Sequence, residues 1–433
     1  MNGTRYRYLM LGLVFFCCGG HVSVANEFQK ITGQHLSLTT DLPSQQQAMD
    51  LVQSFDAAVG QWEAFFALPP ESLATWRVQA YVMRDKGAFR DAGLIPSRVP
   101  DFSQGYALGD SLFVIEQPSE YYTRHLLLHE GVHALAIDQF GGTGPSWYME
   151  GVAELLSTHA SSGDSVMVNR LPADRESVPY WGRLKLIDAR RDENQIPTLQ
   201  SVMRYPADLN ADAEAYGWCW AAAMLFSHYD EYRPAYLAAA RAGRDTSPQF
   251  TRQFQQRLSI EWPALVARWR LMCQQIDYGF DWNREQVAIH HKDPLWDGSS
   301  LRTRVDASRG WQSPGIRIPA STSVQIAARG ECVIAKREKD WSSQPAGVTI
   351  EYVRGKPLGQ LIACLVPVTS SVNASTCEPL GIVAVAPSVT IFCPTESWLV
   401  LQVNDAPADR GDNDGEYEVQ VSRGRSRPIP ADR

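Results

Sequence analysis

Residues 126–134 read Leu-Leu-Leu-His-Glu-Gly-Val-His-Ala, and the five residues from His129 to His133 constrain this chain more than any other stretch. On a helix, positions four apart stack on one face, so His129 and His133 can offer two imidazoles to a single metal ion. Zinc takes imidazole ligands in a tetrahedral shell, and this pair supplies two of its corners. Glu130 follows the first histidine directly, where its carboxylate can reach a metal-bound water and take its proton. The chemistry to expect from such a helix is hydrolysis.

The flanks predict a helix running from Pro118-Ser119 to Gly141-Gly142, because Ser caps helix starts and Gly ends them. Leu126, Leu127, Leu128, Val132, Leu135, Ala136 and Ile137 are apolar nearly all round, so this helix is expected to be buried. Two buried imidazoles without partners would be costly, which favours a metal site over an accidental histidine pair.

A catalytic zinc needs a third protein ligand. Downstream, Pro145-Ser146-Trp147-Tyr148-Met149-Glu150-Gly151-Val152-Ala153-Glu154 reads as a second helix capped by Ser146, with Glu150 and Glu154 four apart on one face. Glu150 would bind the metal, and Glu154 would accept the spare ring N–H of a ligating histidine. The Gly-rich turn at 141–144 would fold the two helices against each other. Taken without the histidines, the two glutamates would read as a solvated face.

The two motifs together, His-Glu-Gly-Val-His and then Trp-Tyr-Met-Glu-Gly-Val-Ala-Glu, resemble the gluzincin metallopeptidases, especially their bacterial peptidase MA-like branch, over residues 75–275. The resemblance implies zinc held by His129, His133 and Glu150, with Glu130 as general base and Glu154 in support. It also implies a mainly helical domain with a small mixed sheet. A metzincin is disfavoured, since no third histidine follows His133 in a Gly-containing extension. The stretch Ala215-Tyr216-Gly217-Trp218 resembles the helix start at which gluzincins place a tyrosine that hydrogen-bonds the developing oxyanion. Tyr216 is the residue this implies, with His228 as a weaker donor. On residues alone, Tyr216 could equally pack with Trp218, Trp220 and Tyr229 in the core.

Ahead of the metal helix, Trp76–Met83 alternates and reads as a strand, and Gly105–Glu116 as another strand or a hairpin. The resemblance implies that the strand just before the metal helix is a sheet edge that pairs with an extended substrate. The Gly-x-Met-Glu-Asn motif with which the related aminopeptidases hold a free amino terminus is absent, and Glu116 is a poor substitute. An endopeptidase is therefore expected, acting on a protein or peptide.

Six cysteines remain once Cys17 and Cys18 are set aside in the leader: Cys219, Cys273, Cys332, Cys364, Cys377 and Cys393. In an exported chain an even count implies disulfides, with Cys219–Cys273 as one pair and four cysteines joined in a C-terminal domain. Export itself is read from Arg5 and Arg7, the apolar run Tyr8–Cys18 and the small-residue site Ser23-Val24-Ala25. The run is too short to span a membrane, and a lipoprotein through Cys17 or Cys18 is disfavoured by Phe15-Phe16. The net charge of −8 and the lack of a long basic run argue against nucleic acid as a partner.

Near residue 295 the sequence turns to short alternating strands, among them Ser323–Ala327, Val348–Tyr352, Trp398–Val403 and Tyr417–Val421, which read as a β-sandwich. Its last hairpin, 404–415, is crowded with Asp and Asn oxygens, an environment calcium prefers. This hairpin resembles the calcium loop of the galactose-binding bacterial lectins. The resemblance implies Asp405, Asp409, Asp412 and Asn413 as calcium ligands and a galactose-type glycan as partner. On residues alone it would be an ordinary polar turn. The expected fold is α+β: a signal peptide at 1–25, a gluzincin-like domain at 26–294, an all-β, jelly-roll-like sandwich at 295–425 and a tail at 426–433. A rival expectation is a catalytically silent metal domain carried by a glycan-binding adhesin.

Overall fold

The computed structural model describes residues 28–162, 165–209, 212–368 and 374–424. The leader at 1–25 and the tail at 426–433 lie outside the described residues. The chain is a mixed α/β protein whose C-terminal part is β-rich.

The hairpin β1 (Gln29–Thr32) and β2 (Leu36–Thr40) leads into helix α1 (Gln45–Phe65), strand β3 (Val78–Met83) and the short α2 (Lys86–Asp91). A second hairpin, β4 (Gly105–Leu108) and β5 (Ser111–Ile115), completes a sheet ordered β1-β2-β3-β5-β4. The inner strands β2, β3 and β5 run parallel, and β1 and β4 are antiparallel edges. The sheet is mixed, as expected, but the strand directly before the metal helix is not its edge. Leu108 pairs with Ser111 across a two-residue turn at Gly109-Asp110, which folds β4 back along the outside of β5. The edge on this side of the sheet is therefore β4.

Helix α3 (Glu120–Phe140) carries both histidines and has the expected ends. Ser119 Oγ accepts the Tyr122 amide at 3.0 Å, and Gly141 closes the helix in the left-handed region at φ 73°. Helix α4 (Ser146–Ser157) differs from expectation at its start: Pro145 holds the cap position, and Ser146 Oγ instead donates to the Tyr205 carbonyl at 3.1 Å. Helices α5 (Arg183–Asp192), α6 (Leu199–Val202), α7 (Ala213–His228), α8 (Arg233–Ala239), α9 (Pro248–Arg257) and α10 (Trp262–Gln275) follow. A Cβ at Gly151 would lie 2.7 Å from the Cys219 carbonyl oxygen, so glycine lets α4 and α7 close on each other. No helix among the described residues is long and apolar enough to cross a membrane.

The C-terminal part contains two four-stranded sheets. One is ordered Ser388–Cys393, Thr322–Arg329, Glu416–Arg423, Leu301–Asp306; the other Val383–Ala384, Leu361–Pro367, Ser397–Val403, Arg317–Ile318. Val324, Ile326, Leu361, Leu401, Val419 and Val421 are among the residues of its own core. The strand Ser397–Val403 alternates less than its sequence suggests, because it is buried at every position. Its other face packs under α10, where Ala264, Ala267 and Leu271 meet Cys364, Trp398 and Val400. Burial of each large apolar side chain at this junction contributes about 1.5–3 kcal/mol.

The disulfide expectation is not met: all six cysteines of the described residues are free thiols, and five of them are fully buried. Cys219 sits on α7 and Cys273 on α10 as small apolar side chains of one core. Their even number said nothing about where they sit.

Candidate metal centre

Two helices converge to build the site. On α3, His133 Nε2 lies 3.1 Å from His129 Nε2. From α4, Glu150 Oε2 lies 3.1 Å from His129 Nε2 and 3.5 Å from His133 Nε2. Donors on tetrahedral corners at about 2.0–2.2 Å from zinc would be roughly 3.4 Å apart. The three atoms already form such a triangle, and two imidazoles with one carboxylate are a donor set that suits zinc. The residues present therefore fit the ion that the sequence implies.

The electrostatics agree. Burial by itself would push His129 towards its neutral form, but the Glu150 and Glu154 carboxylates raise its pKa to about 10. Burial opposes the charge on Glu150 as well, yet His129 and His133 lower its pKa to about 2. A field that holds a proton this firmly also favours a divalent cation in its place.

Glu154, 1% exposed, stands behind His129. Its Oε1 lies 3.4 Å from His129 Nδ1, at ion-pair distance though short of good hydrogen-bond angles. It also lies 3.4 Å from His125 Nε2. Arg183, from α5, donates to both Glu154 oxygens, Nη2 to Oε1 at 2.8 Å and Nε to Oε2 at 3.0 Å. Sequence reasoning missed both neighbours. His125 stands four residues before His129 on the same face, so helical spacing could have found it. Arg183 is 29 residues from Glu154 and carries no local signal.

Glu130 is buried and lines a cleft of about 720 Å³ together with Gly105, Tyr122, His129, Arg183 and Tyr216. Burial raises its pKa, with His133 and His129 pulling the other way. Gly105 of the edge strand is pressed against it: a Cβ there would collide with Glu130 Oε1. Tyr216 faces the same cleft from α7, its ring centroid 6.0 Å from that of His129. Burial, then the charges of Glu150, Glu154 and Glu130, raise the phenol's pKa, so it keeps its proton and remains a donor. Trp218 and Trp220 turn away, against Trp269 and Trp181. His228 does not join the site; it stacks on Trp282 at 4.5 Å and lines a separate cleft. Glu116 is paired with Arg84 at 3.0 Å.

In the 404–415 loop, Asn413 Nδ2 donates to Asp405 Oδ2 at 2.8 Å, and burial raises the Asp405 pKa to about 6. Asp412 Oδ2 accepts the Lys336 amide at 2.8 Å. Asp412 Oδ1 and Asn413 Oδ1 are buried without a hydrogen-bond partner. Asp409 is exposed, and among the described residues no three acidic groups of this loop gather within reach of one ion. Of the four residues expected to hold calcium, Asp405 and Asn413 are buried and joined by a hydrogen bond, Asp412 is partly buried, and Asp409 is at the surface. Arg410 is wholly buried at the base of the loop, donating to the Asp405 carbonyl at 2.7 Å and pairing with Glu285. The loop is thereby seated on the N-terminal part of the chain.

Fold and site define a mixed α/β protein holding a buried His/Glu group that can bind a metal ion. No family model matches the sequence, and no curated relative does. Solved structures that are similar to parts of it include two small proteins. The N-terminal domain of EclA, described as a PllA-like lectin, is 22% identical, with 28% of this chain and 95% of that chain covered at a TM-score of 0.21. PliG of Aeromonas hydrophila, a periplasmic inhibitor of g-type lysozyme, is 9% identical, with 32% and 99% covered at a TM-score of 0.18.

Proposed function

We propose that this chain is an exported zinc-dependent peptidase of the gluzincin type that cuts within peptide chains. The observation that carries the reading is the meeting of His129, His133 and Glu150 within 3.5 Å of one another, beside Glu130 in one cleft. Zinc held by these three would supply Lewis acidity and bring the pKa of its water towards about 7.

The chain's own residues account for the rest. The Glu130 carboxylate takes the proton of the attacking water and returns it to the leaving amine. Tyr216 donates to the carbonyl oxygen on which negative charge develops. The edge strand β4 offers main-chain groups to an extended peptide, which gives affinity with little sequence preference. The test is Glu130→Gln: metal content should be kept and peptide cleavage lost, and unchanged turnover would overturn the mechanism.

A second reading draws on the unpartnered oxygens of Asp412 and Asn413, which support a calcium ion in the C-terminal loop and, through it, a galactose-type glycan. In its strongest form the metal domain is silent and the chain is an adhesin. A glycan array with and without calcium, run beside a casein-type protease assay, separates the two.

A further inference from the structure

We propose that Arg183 is a positioning residue for the metal centre, acting on His129 through Glu154; this rests on the zinc reading above. Glu154 is an almost fully buried carboxylate, and such a group is costly unless paired and hydrogen-bonded. Arg183 supplies both needs with a two-pronged contact at 2.8 and 3.0 Å, itself buried at 5% exposure. A planar fork fixes the rotation of the carboxylate as well as its charge. With both Glu154 oxygens held, Oε1 is kept at 3.4 Å from the otherwise unpartnered His129 Nδ1, where a small closing movement would let it accept the Nδ1 proton and leave the Nε2 lone pair to the metal shared with Glu150 and His133.

The same guanidinium lies 5.5 Å from the centre of the Tyr216 ring. One side chain from α5 thus touches the group behind the first histidine and the phenol across the cleft. It also closes off the second set of metal-capable atoms, His125, His129 and Glu154, because Glu154 already has its counter-charge.

The test is metal affinity of the full chain, measured with Zn²⁺ and with Co²⁺ by competition against a chromophoric chelator and by the visible spectrum of bound Co²⁺. Arg183→Met should weaken binding on the order of tenfold or more and alter the Co²⁺ spectrum. Arg183→Lys should recover part of the loss, since it restores charge without the fork. Arg183→Met/Glu154→Gln removes both charges and guards against misfolding; it should bind no more weakly than Glu154→Gln alone. Wild-type affinity in a folded Arg183→Met chain overturns the inference and leaves the zinc reading standing. Equal multiplicative losses in the double variant also overturn it, because Arg183 would then act by another route. Absence of metal binding by the unaltered chain overturns both.

Discussion

His129 Nε2 and Glu150 Oε2 lie 3.1 Å apart although 21 residues separate them in the chain. Their meeting converts a helical histidine pair into a three-donor centre. It depends on α4 folding back after Gly141 and on the close packing of α4 with α7 that Gly151 permits.

Tyr216→Phe removes one hydroxyl and keeps the ring beside His129. A lost oxyanion donor should lower kcat on the order of 10²-fold with little change in KM. Steady-state kinetics on a peptide substrate measure this, and an unchanged kcat would return Tyr216 to a packing role.

Gly105→Ala places a methyl group well inside contact distance of Glu130 Oε1. The carboxylate must move, so turnover should fall while metal content stays at the wild-type level. Metal analysis beside the peptide assay distinguishes this from general misfolding.

His159 should make the fold acid-sensitive. Burial lowers its pKa from 6.5 to about 3, and its two nitrogens are engaged by Arg124 and the Ser157 carbonyl. The unfolded state then binds the proton first. The contribution of His159 to stability is whole above the unfolded value of about 6.5 and falls below it by up to about 1.4 kcal/mol per pH unit, until the folded pKa is reached. Urea unfolding between pH 5 and 8, compared between the unaltered chain and His159→Gln, should differ in slope by about one proton below pH 6.5 and by little above it.

Asn413→Ala tests the loop. If calcium uses Asn413 with the loop's aspartates Asp405, Asp409 and Asp412, millimolar calcium should raise the melting temperature of the unaltered chain by mass action and leave the variant unmoved. Equal behaviour of the two would remove calcium from this loop.

Much of the centre was legible because its signals are local. The caps Ser119 and Gly141 fixed the ends of α3, and spacing of four placed His129 with His133 and Glu150 with Glu154. What escaped depends on tertiary placement. Arg183 meets Glu154 only after α5 packs on the site, β4 becomes the edge only through its hairpin, and Ser397–Val403 is buried on both faces only because α10 covers the sheet. The cysteines misled because free thiols pack as apolar side chains, which their number cannot reveal.

Metal analysis of the purified full-length chain beside Glu150→Ala tests the central claim most directly. The zinc assignment requires close to one zinc per unaltered chain and a large loss in Glu150→Ala; an unaltered chain without zinc, or a variant that retains it fully, would contradict it.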